Sequence, residues 1–309
     1  MPFPVAAGRT DYSGNYIPQL WARKLLLKFY DATCLSQITN TDYEGEIQKW
    51  GNEVKIRTTP DIIIRDYVKG QNLDFQQPDS APISLLIDQG KYWAFTLDTV
   101  DAKQMDIDAS GSWGNDAAEQ MKIVIETAVY AYSYSLADAA NKGATAGKKS
   151  GGYNLGVAGT PLAVTKSNII DVIVDAGSVL DEQSVPESGR WIILPPLFTG
   201  MLKKSDIKDA SMMGDGTSAL RNGRIGVIDR FTVFMSNLLT TGTDTTHNVV
   251  NAMAGSRAAI SFASQIVESQ KMPNPFGFGT LFKGLQVYGR KVVKPEALAH
   301  LYLTKGSDT

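Results

Sequence analysis

The stretch from Ser112 to Gly143, SWGNDAAEQMKIVIETAVYAYSYSLADAANKG, constrains the fold more than any other part of the chain. Asn115 is a favourable N-cap, and Asp116 and Glu119 place acids in the first turn, where the helix dipole favours them. Neither Pro nor Gly interrupts 115–142, and Gly143 stands where a C′ glycine would end the helix. A helix over 115–142 would be about 42 Å long, roughly the width of a domain. Ala117, Met121, Val124, Ile125, Ala128, Val129, Tyr132, Leu136 and Ala139 largely follow the i, i+3, i+4, i+7 pattern, so one face is built for burial. Ile123, Tyr130 and Tyr134 fall on other faces. The combination predicts a beam with other elements packed along several of its sides.

A chain of 309 residues, 43% hydrophobic and 20% charged, suffices for two domains or one elaborate one around a substantial core. A net charge of −2 argues against a protein that wraps nucleic acid in a basic groove. Cys34 is the single cysteine, which allows no internal disulfide and requires no oxidising compartment. The opening residues, MPFPVAAGRTDYSGNY, lack a basic start followed by an apolar run, so no secretory signal is expected. No apolar stretch is long enough for a membrane helix. The expectation is a soluble protein that folds inside a cell.

Along the chain, residues 1–20 read as an extended arm, and Trp21 to Tyr30 (WARKLLLKFY) as a short helix whose leucine-rich side suits docking on protein. Alternation at Val54, Ile56 and Thr58 signals a strand, and DIIIRDYV at 61–68 a second β-rich run. Residues 69–82 read as a loop tip. A further pair, ISLLID at 83–88 and KYWAFTLD at 91–98, would be joined at Gln89-Gly90. Residues 51–98 thus resemble a long two-stranded excursion, and isolated hairpins are marginal in water unless something covers them. The cover is expected from another copy of the chain. Beyond a Gly-rich connector at 143–160, expected to be flexible, come a helix from Asn168 to Glu182, a buried strand from Arg190 to Leu194 stopped by Pro195-Pro196, and a short helix, PLFTGMLKKS. A strand pair from Arg224 to Ser236 turns near Asp229-Arg230; 239–256 reads as a surface loop, and Ala258 to Val267 as a strand. The class is α+β.

No active site assembles from these residues. Gly143-Ala-Thr-Ala-Gly147-Lys148-Lys149-Ser150 approaches a phosphate-binding loop but is one residue short between its glycines, and a helix precedes it where a strand is required. The acids Asp98, Asp101, Asp106 and Asp108 match no calcium loop and read as a solvated turn. His247 and His300 have no companion at metal-ligand spacing, and Cys34 has no neighbouring base. No catalytic residue, cofactor or metal ligand is assigned, and the chain reads as no enzyme. The basic pairs Arg23-Lys24, Lys148-Lys149, Lys203-Lys204 and Arg290-Lys291 lack interleaved aromatic platforms, which leaves solvated surface or loose contact with a phosphate backbone.

Four stretches carry a resemblance. ISLLIDQGKYWAFTLDTVDAKQ at 83–104 is similar to the IDQ-x-KY-x-F-x-(V/I)-D-D signature that leads into the long helix of tailed-bacteriophage major capsid proteins, with Thr99 where a second acid is common. LDEQSVPESGRWIILPPLFTGML at 180–202, NGRIGVIDRFTVFMSNLL at 222–239 and LFKGLQVYGRKVVKPEALAHLYL at 281–303 resemble that family's later segments in the same order, with Asp229-Arg230 where a Gly often precedes the aromatic. The resemblance implies the Hong Kong 97-like capsid fold. It assigns 1–50 to an N-terminal arm, 51–98 to the extended β-hairpin loop, and 99–165 with 257–309 to a peripheral domain that includes the long spine helix 115–142. It assigns 166–256 to an axial domain.

The function implied is that of a coat subunit that self-assembles into hexamers and pentamers of an icosahedral head enclosing double-stranded DNA. Implied partners are further copies of the chain, a portal, a decoration protein, non-specific contact with the packaged DNA, and no membrane. A separate scaffolding protein is expected because the chain starts directly in the arm. The location implied is the virion, after assembly in the host bacterial cytoplasm. Trp21, Arg65, Asp66, Lys69 and Phe75 are the candidates for intersubunit contact, the three charged ones as cross-subunit charge contacts near the loop. The alternatives are an encapsulin-type shell around cargo enzymes, a nucleotide-using enzyme acting through 143–150, and an adhesive or decoration protein that would leave the spine helix unexplained.

Overall fold

The computed structural model describes residues 28, 30–43, 52–60, 62–105, 109–205, 227–245 and 247–307. In chain order it contains α1 (Leu35–Ile38), β1 (Glu53–Ile56), β2 (Ile83–Leu86), β3 (Gln89–Asp98), α2 (Thr99–Gln104) and α3 (Ala109–Ser133). There follow β4 (Leu162–Val164), α4 (Ile169–Glu182), β5 (Arg190–Leu194), α5 (Pro196–Lys204), β6 (Val227–Ile228) and β7 (Phe231–Met235). The chain then continues through β8 (Thr241–Asp244), β9 (His247–Ser256), β10 (Ile260–Pro273), β11 (Gly279–Val292) and β12 (Leu298–Lys305).

The long helix α3 is the beam its sequence predicts, with shifted ends. It begins at Ala109, six positions before the expected start, and takes Gly111 and Gly114 into its first turns. It ends at Ser133, whose Oγ donates back to the Val129 carbonyl at 2.8 Å. The residues expected to continue it form two 3₁₀ turns, Tyr134–Leu136 and Ala139–Asn141. Tertiary bonds claim that segment: Asp138 N–H donates to the Pro295 carbonyl at 3.1 Å, and Asn141 Nδ2 donates to the carbonyls of Glu296 (2.7 Å) and Leu298 (3.1 Å). Gly143 does take a positive φ of 91°, but it closes these turns and not the helix. Ile125, Val129 and Tyr130 are buried, and Met121, Ile123 and Tyr132 pack against the same core from flanking faces.

Of the two larger sheets, the three-stranded one packs on α3 and the seven-stranded one meets the 3₁₀ turns that follow it. The seven-stranded one has the order β4-β12-β9-β5-β7-β6, with β8 paired to β9. Its centre is β5, RWIIL, buried at every position: 191–194 is an apolar run, and the buried Arg190 guanidinium is paired with Asp181 at 2.6 Å. The β6–β7 turn falls at Asp229-Arg230, both at positive φ, where the sequence places it. α4, which begins just after Asn168, buries Ile169, Val172, Ile173, Ala176, Val179 and Leu180. The expected surface loop at 239–256 is wrong: it is β8 and β9, and 251–256 is entirely buried. Ala252, Ala254 and Gly255 look like loop composition but are small because β9 runs between β12 and β5; a Cβ on Gly255 would meet the Ala297 carbonyl. The sheet also draws in β4 and β12, from outside 166–256.

The second sheet has the order β10-β11-β3. Here too a sequence expectation fails, because β2 and β3 form no hairpin at Gln89-Gly90. β2 pairs with β1, while β3 begins at Gln89 and pairs with β11 from Tyr288↔Gln89 to Gly279↔Asp98. Aromatic packing decides it. The Trp93 indole lies over Gly284, its cross-strand partner, where any Cβ would collide with the ring. Phe95 stacks on Trp93 (5.6 Å) and Phe282 (5.0 Å) and meets the edge of Trp113 on α3 at 5.7 Å.

The connector 143–160, expected to be flexible, is built into the core. Ala146 and Tyr153 exchange backbone bonds, Leu155 is fully buried, and its carbonyl accepts from Tyr302 N–H at 2.8 Å. Gly156, at φ +82°, sits so close to the Tyr302 carbonyl that no side chain fits.

Candidate assembly surface

The β1–β2 pair is anchored by a small core of its own, in which Val54, Ile56, Leu85 and Ile87 pack with Ala263 of β10. Its register runs from Glu53↔Leu86 to Ile56↔Ile83. Beyond Ile56 no backbone ladder forms, so the predicted strand at 61–68 is absent over its described residues, 62–68. Side chains nonetheless hold the two arms in the same register. Thr58 Oγ1 donates to the Ala81 carbonyl at 3.0 Å. The Gln76 amide spans Ile63, accepting from its N–H at 3.1 Å and donating to its carbonyl at 2.8 Å, as a neighbouring strand would. Arg65 Nη1 pairs with Asp74 Oδ2 at 2.6 Å. All these pairs are symmetric about Lys69-Gly70, where Gln71 N–H bonds the Val68 carbonyl at 3.1 Å and Gly70 takes φ +89°, as a type II turn demands. Residues 53–86 are therefore one ribbon with a backbone ladder at its base and side-chain lacing along its length.

The ribbon is apolar, and no described residue covers it. Ile62, Ile63, Ile64, Tyr67, Val68, Leu73 and Phe75 are all exposed, with Ile64 at 89% and Phe75 at 91%. These two extremes are register partners, and the alternation of extended chain puts them on the face opposite the Arg65–Asp74 brace. A second bare tip lies at the β10–β11 turn, where Phe276 is 97% and Phe278 is 88% exposed. Single exposed apolar residues are ordinary; contiguous ones mark an interaction surface.

Of the residues singled out in the sequence, Phe75, Asp66 and Lys69 lie on this ribbon and are exposed. Arg65 lies there too, but its guanidinium is engaged within the ribbon by Asp74. Trp21 lies outside the described residues, as do 1–20 and most of the predicted helix at 21–30. Sequence reasoning missed Ile62, Ile64 and Leu73, which it took for strand and loop positions. The signal was present in DIIIRDYV, which does not alternate as a half-buried strand should.

Behind the ribbon, α1 is fixed to the spine helix by a buried carboxylate. Glu126, 1% exposed, accepts from the N–H of Cys34 (3.1 and 3.0 Å to its two oxygens), from Leu35 N–H at 3.1 Å and from Tyr130 Oη at 2.6 Å. The Cys34 thiol, 2.9 Å from Tyr130 Oη, has its pKa pushed up to about 12 by burial, and burial also raises that of the Tyr130 hydroxyl. Cys34 is thus a protonated, inert core residue. Asp98 caps α2 through Val100 N–H at 2.8 Å; Asp106 and Asp108 lie outside the described residues. No cluster able to hold a metal ion occurs among the described residues, and none of their helices is long and apolar enough to cross a membrane. In the loop that approaches a phosphate-binding sequence, the N–H groups of Lys149 and Ser150 both donate to Glu182, at 2.7 and 3.1 Å. Those bonds hold the Glu182 carboxyl below its ordinary range, so the donors a phosphate would need are already occupied by an acid.

The same fold recurs in solved structures. One from Mycobacterium phage Che8 is 24% identical with a TM-score of 0.75, over 93% of this chain and 97% of that one. The capsid of cyanophage P-SCSP1u is 15% identical with a TM-score of 0.72, over 94% of each chain. The capsid of a native GTA particle, computed with C5 symmetry, is 11% identical with a TM-score of 0.65, over 96% of this chain and 98% of that one. These likenesses define the class: a Hong Kong 97-like capsid fold of the kind found in tailed phages. The family model described as phage capsid protein matches residues 83–301, and the chain belongs to that family. It is a structural subunit of a phage capsid, and its family and fold are structural and not enzymatic. An encapsulin-type shell is not favoured. No curated protein matches the chain by sequence.

Proposed function

We propose that this subunit assembles into hexamers and pentamers of an icosahedral head that encloses double-stranded DNA. The observation that carries the reading is the ribbon 53–86, whose apolar face is left uncovered by the described residues and which holds its register without a ladder beyond Ile56. Such an element finds its cover on a neighbouring copy, where Ile64 and Phe75 would be buried together. Asp66, Lys69 and Trp21 are the further contact candidates. In this reading 1–50 is the arm, 53–86 the extended loop, and α3 with the β10-β11-β3 sheet the peripheral domain. The seven-stranded sheet with α4 and α5 forms the axial domain. A neighbour's capsid computed with C5 symmetry is in keeping with the pentamer, and repeated weak contacts sum to a stable shell. Scaffolding, portal and decoration partners, non-specific contact with the DNA, and assembly in the host cytoplasm belong to the same proposal.

Negative-stain electron microscopy of the purified chain, alone and co-expressed with its neighbouring genes, tests it. Closed shells or capsomers are expected. A monodisperse monomer in both preparations would remove the reading.

A further inference from the structure

Near its end, β11 carries two adjacent cations, Arg290 and Lys291, and no acid among the described residues pairs with either. Arg290 makes no hydrogen bond or ion pair there. Its guanidinium carbon lies 4.8 Å from the centre of the Tyr132 ring, and its Nη1 is buried without an acceptor. A buried N–H left unpaired carries the full desolvation penalty of the group, which an acceptor would remove. Both cations line a pocket of about 120 Å³, together with Ser84, Asp88, Gln89 and Tyr132. The one acid, Asp88, accepts from Gln89 Nε2 at 3.0 Å and forms no ion pair with either cation, so the pocket keeps a net positive charge.

We propose that this pocket binds a small oxyanion, of carboxylate or phosphate chemistry. The guanidinium fork of Arg290 suits two oxygens at once, its stacking on Tyr132 holds it in place, Lys291 adds a point charge, and the Ser84 hydroxyl adds a donor. The volume has room for one such group and little more. Four elements meet there: β2 at the base of the ribbon, the start of β3, the last turn of α3, and β11. An anion in this pocket therefore ties the root of the ribbon to the helix and the sheet, and sets the angle at which the ribbon leaves them.

Two sources offer this chemistry: free phosphate, or a carboxylate side chain from a second copy of the chain. The first stands without the shell reading; the second rests on it. The experiment follows the thermal unfolding of the purified chain, unassembled and assembled, in sodium phosphate against sodium chloride at matched ionic strength. In the unassembled chain, phosphate well above its dissociation constant should raise the unfolding temperature by roughly 2–5 °C. Arg290→Gln should abolish the rise and Asp88→Asn should enlarge it. Persistence of the rise after assembly identifies free phosphate as the ligand. Loss of the rise on assembly, with Arg290→Gln particles dissociating at lower temperature, identifies the neighbour's carboxylate. If Arg290→Gln does not fold, Lys291→Gln and Asp88→Asn carry the comparison. A phosphate response absent from the parent, or equal in parent and variants, overturns the site.

Discussion

At the scale of single residues, two ionisable groups, buried Glu126 and half-buried His300, tie distant segments of the chain together. Glu126 is a carboxylate whose hydrogen bonds hold α1 and Tyr130 to the spine helix. Glu126→Ala would strand two backbone N–H groups and a tyrosine hydroxyl, so we expect a loss of about 3 kcal/mol in denaturant unfolding. Glu126→Gln should lose less, since it keeps one acceptor oxygen. His300 packs between Tyr134 and Tyr302 with Nε2 2.9 Å from Asn251 Oδ1, and burial lowers its pKa from the usual 6.5 to about 4. Its folded pKa lies below its unfolded one, so the unfolded chain binds the extra proton between those values. Stability is complete above pH 6.5 and declines as pH falls towards 4, by up to ~3 kcal/mol. Unfolding midpoints of the parent measured across that range should fall with acid more steeply than those of His300→Gln; parallel curves would show that His300 does not titrate in this way. Neither group was legible as structural in the sequence, because a lone acid in a helix and a histidine near the terminus reveal their partners only when 34–35 and 251 arrive from elsewhere in the chain.

At the scale of elements, legibility followed the range of the forces involved. Helices α4 and α5, strand β5 and the Asp229-Arg230 turn rest on local patterns, with Pro195-Pro196 stopping β5 and opening α5, and they lie where the residues place them. The misread elements are those settled by distant neighbours: β9, whose small residues answer to strands on both sides, and β3, which Phe282 and Gly284 of β11 recruit away from β2. The ribbon was legible as an uncovered excursion, but its lacing was not, since Gln76 imitating a strand has no sequence signature. Its exposed face yields a prediction of its own. Phe75→Asp should alter the stability of the isolated chain by no more than ~0.5 kcal/mol, because the ring touches almost nothing there. It should also sharply lower the yield of particles in gradient sedimentation, since a carboxylate would have to be desolvated at the contact. Normal particle yield would show that the ring faces solvent in the shell as well.

At the scale of the whole molecule, one contiguous core joins the spine helix to the seven-stranded sheet, while the ribbon root has a separate small core of its own. The body and the ribbon can therefore change independently. Both arms of the ribbon keep a single register about Lys69-Gly70, so its length can change only by matched residues, one from each arm. Removing one matched pair on the base side of Ile64 and Phe75 shortens it by about 3.3 Å and turns them to the other face; removing two restores the face at about 7 Å less reach. We expect one-pair deletions to lose assembly and two-pair deletions to keep it, with altered particle diameter in electron micrographs. The ribbon then behaves as a ruler graduated in residue pairs, of which only alternate marks can be read. If such particles enclose a genome, as proposed, the room available for a longer one would change in discrete, paired-codon steps rather than by gradual drift.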